Sequence, residues 1–97
     1  MSKLKPVHPG EILKEDFMAP YGLSSNALAK AIGVTAARIN EIVRGRRGIT
    51  ADTALRLARY FGTDADSWMN LQDRYELTVA WNEAAEEIRK IRPLKAA

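Results

Sequence analysis

Apolar residues recur along this chain at three- and four-residue steps, interrupted at short intervals by glycine, proline and small hydroxyl residues. The stretch LSSNALAKAIGVTAARINEIVRGRRG, from Leu23 to Gly48, reads as two short helices joined by a tight turn. Leu28, Ala29 and Ile32 share one face of the first helix. Ser24 can cap that helix, because its hydroxyl accepts an amide of the opening turn that has no partner of its own. Gly33 ends it, since glycine enters the left-handed conformation without a Cβ clash. Thr35 then caps a second helix whose inner face is Ile39, Ile42 and Val43. Ala29 is small enough to let the two helices cross closely.

The same pattern predicts three more helices. His8-Pro9-Gly10-Glu11 is a helix start: Pro9 suits the first helical position, and Glu11 can reach back to the capping residue. Ile12, Leu13, Phe17 and Met18 form its apolar face, and Pro20 stops it. Thr50 caps a fourth helix, with Asp52 at its positive end and Ala54, Leu55, Leu57, Ala58 and Phe61 as a wide apolar face. After Gly62, Thr63 or Asp64 caps a longer fifth helix running to about Ile91, before Pro93. Trp68, Leu71, Leu77 and Tyr75 are candidates to close the core. Further on, Leu77, Trp81, Ala84, Ile88 and Ile91 are spaced 4-3-4-3, as an a/d seam would be. That stripe either packs on its own domain or meets a second copy, and the second copy is favoured because five short helices leave little uncovered core. The parsing is therefore an all-α, five-helix chain. Residues 1–7 are a loosely held basic arm, 8–79 the helical domain, and 80–97 a helical extension that dimerises.

Composition narrows the function. At 97 residues and 46% hydrophobic, the chain supports one modest core. There is no cysteine and one histidine, so neither a disulfide framework nor a metal site is expected, and His8 reads as a cap or a surface residue. No apolar run is long enough for a membrane span and the first residues lack the apolar core of a signal peptide, so a cytoplasmic protein is expected. Catalysis is disfavoured: no phosphate-binding glycine loop or metalloprotease spacing occurs, and Glu83, Glu86 and Glu87 belong to a solvated, charge-paired helix face. No cofactor is implied.

Charge then separates a helix-turn-helix from a plain helical hairpin. From Ser24 to Thr50 the cations are Lys30, Arg38, Arg44, Arg46 and Arg47 against the single acid Glu41, a net +4. The whole chain carries only +3, so positive charge is concentrated on this unit, as a DNA footprint requires. The second helix would enter the major groove with Thr35, Ala36, Ala37, Arg38, Asn40, Glu41 and Arg44 outward. Asn40 can bridge adenine N6 and N7, and Arg38 or Arg44 can fork onto guanine O6 and N7. Glu41 either accepts from cytosine N4 or orients a neighbouring arginine, and Arg44 either reads a base or holds backbone. The alanines can touch thymine methyls. Ser24, Ser25, Arg46, Arg47 and first-turn amides would hold phosphates.

With those residues laid out, the chain resembles the lambda-repressor-like (Xre) helix-turn-helix family and, more narrowly, the HigA/VapI group of antitoxins. The resemblance is carried by HPGEIL at 8–13, LAKAIGV at 28–34, RINEIVRGRRGITADTALRLARYFGT at 38–63 and WMNLQ at 68–72. It implies a five-helix lambda-repressor-like fold, a homodimer on pseudo-palindromic double-stranded operator DNA, and repression of its own promoter. It also implies neutralisation of a HigB-like toxin, a ribosome-dependent mRNA endonuclease of RelE-like fold. By resemblance, Ala36, Ala37 and Glu41 read bases, while Ser25, Arg44 and Arg46 hold phosphates. This chain has alanines where such repressors often carry glutamines, which shifts weight to Arg38, Asn40 and DNA shape. A basic toxin would seek acids, and Glu11, Glu15 and Asp16 on the first helix are the candidates. The competing readings are a stand-alone regulator of the same family without a toxin, and an interaction adaptor using the motif only as scaffold.

Overall fold

The structure, a computed structural model, describes residues 4–95. Met1, Ser2 and Lys3 of the expected arm lie outside the described residues. The elements in order are α1 (Pro9–Ile12), which continues through a π-helical segment (Leu13–Met18) into a 3-10 turn (Ala19–Tyr21), then α2 (Ser25–Ile32), α3 (Ala36–Val43), α4 (Ala51–Phe61) and α5 (Ala65–Arg89). Among the described residues the fold is all-α, with five helical segments and no strand.

Caps placed these helices where the sequence expected them. Ser24 Oγ accepts from the Ala27 amide, Thr35 Oγ1 from Arg38, Thr50 Oγ1 from Thr53, and Asp64 Oδ1 from Ser67. The bond from Ser67 holds the Asp64 carboxyl below its ordinary value. Gly33 closes α2 at φ 74°, the left-handed value that a tight interhelical turn demands. The first helix differs from the uniform α-helix expected. Pro20 has no amide to donate, and its ring crowds the carbonyl four residues back. The chain widens before it, so that the Ala19 amide reaches Lys14 O, five residues away.

The core is formed by Leu13, Met18, Leu28, Ala29, Ile32, Ile39, Ile42, Ile49, Ala54, Leu57 and Trp68. Trp68 anchors α5 to the rest. Its indole N–H donates to Thr63 Oγ1 at 2.9 Å, and Phe17 packs between it and Phe61, with centroids 4.9 and 5.1 Å away. Two sequence expectations are corrected by helical phase. Leu55, expected on the buried face of α4, is 64% exposed. Ala54, Leu57, Ala58 and Phe61 already complete the inward stripe, and Leu55 falls about 100° from Ala54. Leu77, offered to the core, is 71% exposed, because it lies nine residues from Trp68, about two and a half turns round the helix. Tyr75 and Leu71 are half-buried on the domain side.

The stripe of Leu77, Trp81, Ala84, Ile88 and Ile91 consequently faces away from the domain. Leu77, Ile88 and Ile91 are exposed, while Trp81 and Ala84 are half-buried. Arg89 lies 5.4 Å over the Trp81 ring, covering part of it from the same helix. The helix closes slightly earlier than expected, with Lys90 and Ile91 amides bonding Glu87 O and Ile88 O in a tightened last turn. The opposite side of α5 receives the N-terminal segment: Asn82 Nδ2 donates to Leu4 O at 2.6 Å, and the Leu4 amide donates to Asn82 Oδ1 at 3.1 Å. No described helix is long and apolar enough to cross a membrane.

Candidate nucleic-acid interface

The interface is built on α2, α3 and the loop that follows. Ile39 and Ile42 are fully buried, which turns the other face of α3 outward. Thr35, Ala37 and Arg44 are exposed, and Ala36, Arg38, Asn40 and Glu41 are half-buried beside them. The Thr35 hydroxyl is already an acceptor for the Arg38 amide, leaving its own proton free to donate. Ala36 and Ala37 make the start of this helix slim. Ser24 and Ser25 stand at the amino end of α2, where Ser24 Oγ holds the Ala27 amide.

Not every cation is equally available. Among the described residues, the Asn40 amide and the Arg44 guanidinium have no side-chain hydrogen-bond partner, so both are free to meet DNA. Arg38 is not presented freely: its Nη1 donates to Asp52 Oδ2 at 3.1 Å. The same carboxylate oxygen takes Arg56 Nε at 3.0 Å. Arg56 in turn donates to Ile32 O at 2.8 Å and Gly33 O at 3.3 Å, satisfying carbonyls left open at the end of α2. The Arg56 hydrogen bond, then that from Arg38, holds the Asp52 carboxyl below its ordinary value, so it is ionised at neutral pH.

Glu41 lies at the root of the arginine loop. Its carboxylate pairs with Arg47 at 3.0 Å, and its backbone carbonyl accepts the amides of Arg46 and Arg47. One residue therefore shapes the arginine loop from both ends. The loop is braced from behind by Gln72, which is almost wholly buried. Gln72 Oε1 accepts the Ile49 amide at 2.7 Å, and Nε2 donates to Glu76 at 2.9 Å. Gly48 lies so close to this amide that a Cβ there would meet Gln72 at 2.7–2.9 Å. Asp52, as a holder of arginines, and Gln72, as a brace, escaped the sequence reading. Gln72 left a signal, a polar residue one helical turn beyond Trp68 on the core side of α5.

His8 joins this region to the amino-terminal end. Its Nδ1 accepts the Gly10 amide at 2.9 Å, capping α1, and its ring meets Tyr75 edge-on at 4.8 Å. Gly45 of the arginine loop lies against the same ring. Gly10 approaches the Ile42 carbonyl so closely that any side chain would collide with it. The start of α1 and the end of α3 are thus in direct backbone contact. The three acids proposed from sequence, Glu11, Glu15 and Asp16, are all exposed on the first helical segment.

An array of this kind, a slim helix start with free amide and guanidinium groups beside a braced arginine loop, is suited to a groove bordered by phosphates. Comparison with known proteins agrees. Residues 14–68 match the helix-turn-helix family. The chain is 61% identical to virulence-associated protein I of Dichelobacter nodosus, over 81% of this chain and 73% of that protein. It is 36% identical to antitoxin HigA-1 of Vibrio cholerae, over 96% of this chain and 88% of that one. Among solved structures, Pseudomonas aeruginosa antitoxin HigA with the higBA promoter superposes with a TM-score of 0.90 at 48% identity, covering 94% of this chain and 100% of that chain. The chain belongs to the helix-turn-helix family and, within it, to the HigA group of antitoxins.

Proposed function

We propose that this protein is the antitoxin of a type II toxin–antitoxin pair: a cytoplasmic homodimer that binds the operator of its own operon and neutralises a HigB-like mRNA endonuclease. The observation that carries the proposal is the outward face of α3, where Asn40 and Arg44 stand free next to a loop of arginines. The likeness over nearly the whole chain to an antitoxin solved with its promoter supports the same reading. Asn40 and Arg44 read bases, with Thr35, Ala36 and Ala37 in close groove contact and Glu41 serving to hold Arg47. Ser24, Ser25, Arg46 and Arg47 hold backbone phosphates. The exposed stripe Leu77, Trp81, Ala84, Ile88 and Ile91 is the seam of the dimer, and Glu11, Glu15 and Asp16 meet the toxin.

A footprint on the DNA upstream of the gene tests the DNA half. Binding should fall linearly with salt on a log–log scale, by roughly 0.9 per phosphate neutralised. Asn40→Ala should weaken binding to that site by about 1–3 kcal/mol and leave random duplex binding unchanged. An equal loss on both DNAs would move Asn40 to the backbone, and absence of any protected site would remove the repressor reading. Co-expression with the neighbouring reading frame tests the toxin half: a complex and restored growth are expected, and neither would appear for a stand-alone regulator.

A further inference from the structure

Between α3 and the start of α4 lies a small cleft of about 180 Å³, lined by Arg38, Arg47, Gly48, Thr50 and Thr53. Two of its lining residues are arginines, whose guanidiniums carry forked donors suited to a phosphate. In the free protein each guanidinium already holds a carboxylate, Arg38 that of Asp52 and Arg47 that of Glu41. We infer that Asp52 is an affinity-setting residue of the DNA interface: its carboxylate stands in for a DNA phosphate beside Arg38 in the free protein, and must yield that place when the duplex brings a phosphate into the cleft. The inference rests on the DNA-binding reading above and deepens it.

The geometry of the pair fits such a gate. Contact is end-on, through one oxygen and one nitrogen, and both side chains are open to solvent, 33% for Arg38 and 59% for Asp52. Exposed pairs of this kind are weak, so a phosphate taking the guanidinium through two bonds replaces the carboxylate easily. Asp52 does not become loose when Arg38 leaves it. Arg56 still holds the same oxygen at 3.0 Å and is itself fastened to the carbonyls of Ile32 and Gly33. The gate therefore hinges on the turn of the helix-turn-helix and moves only on the Arg38 side.

Both kinds of complex feel Asp52. Loose association with any duplex is a matter of cations on phosphates. A carboxylate facing the backbone, with Arg38 engaged, withholds one cation from every sequence. Seating a phosphate in the cleft breaks the Arg38–Asp52 pair, so the operator complex bears the whole worth of that pair. Asp52 thus lowers affinity for both DNAs, and for the operator at least as much as for random DNA.

Four proteins and a charge control test this: the wild type, Asp52→Asn, Arg38→Gln, the double variant, and Asp73→Asn on exposed α5. Each is titrated with a random duplex and with the DNA upstream of the gene, over a series of salt concentrations. Asp52→Asn should bind both duplexes more tightly, by up to about fivefold and by at least as much on the upstream site, with a salt slope on the random duplex steeper by roughly 0.9 per protomer. The double variant should return to the level of Arg38→Gln, because the gain passes through that guanidinium. Loss of structure would weaken binding to both DNAs, the opposite of the expected gain, and would overturn the inference. So would Asp52→Asn behaving like Asp73→Asn, or a gain that persists in the double variant. A wild type without preference for its upstream DNA overturns the repressor reading and the gate together. A wild type that discriminates while Asp52→Asn does not differ from the control overturns the gate alone.

Discussion

The imidazole of His8 accepts the Gly10 amide through Nδ1, which it can do only while that nitrogen is unprotonated. Burial against Tyr75 and Gly45 favours the same neutral state and holds its pKa below the ordinary 6.5. The unfolded chain therefore takes up this proton before the folded one does. His8 contributes its full stability above about pH 6.5, and that contribution declines as the pH falls below it. Urea unfolding at pH 7.5 and 5.5 should differ by up to about 1 kcal/mol, the worth of a cap, with the lower pH less stable. His8→Ser, which caps without titrating here, should flatten the difference, and an unchanged pH response in that variant would assign it elsewhere. Single residues of this kind were unevenly legible. Ser24, Thr35 and Thr50 announce themselves because a cap acts within three residues of its own position. The tie between Arg38 and Asp52 spans fourteen residues and exists only because α4 folds back beside α3, so no local pattern carries it.

At the level of elements, a helix's phase decides more than its composition. Leu77 served two expectations in the sequence, core and seam, and the turn of α5 permits only one. Trp68, Gln72 and Tyr75 face the domain, which leaves Leu77, Ile88 and Ile91 in solvent. Exposed leucine and isoleucine at 4-3 spacing is the pattern of a surface awaiting a matching helix. Replacing Trp81 and Ile88 together with aspartate should place charges along that seam and yield monomers by light scattering, while far-ultraviolet dichroism stays helical. DNA binding should weaken steeply, since a dimer holds its two recognition helices for two half-sites at once. A dimer that survives both charges would move the interface off α5. The lengths of α2 to α5 were legible because each begins at a cap and ends at a glycine, a proline or a last tight turn. The π-helical segment was not. It depends on where the chain can fit Pro20 against its own preceding turn while Phe17 stays on Trp68, a balance of packing that periodicity does not register.

Across the whole molecule, net charge is unevenly placed. The stretch from Ser24 to Thr50 carries +4, so the remainder of the +3 chain is slightly acidic. Glu11, Glu15 and Asp16 are exposed on the first helical segment, and among the described residues none of them forms an ion pair. On the proposed function, a first helical segment of net negative charge and a helix-turn-helix of net positive charge steer a toxin and DNA to different faces. This separation predicts that the two activities come apart by mutation. Glu15→Lys with Asp16→Lys should weaken toxin binding roughly tenfold or more, since like charges would face each other across the contact. Growth rescue in co-expression should fail with it. The added cations should raise binding to random DNA slightly through the long-range field, while the footprint on the upstream site keeps its boundaries. Toxin affinity that does not change on reversal of both charges would place the toxin on another surface, and a lost footprint would show that the first helical segment is part of the DNA interface instead. His8 and Gly10 make the second outcome a real competitor, because they fasten the start of that segment to the end of α3 through Gly45 and the Ile42 carbonyl. Glu15 and Asp16 lie one to two turns beyond that junction, in the π-helical segment, so the two outcomes separate a contact at the junction from one farther along the segment.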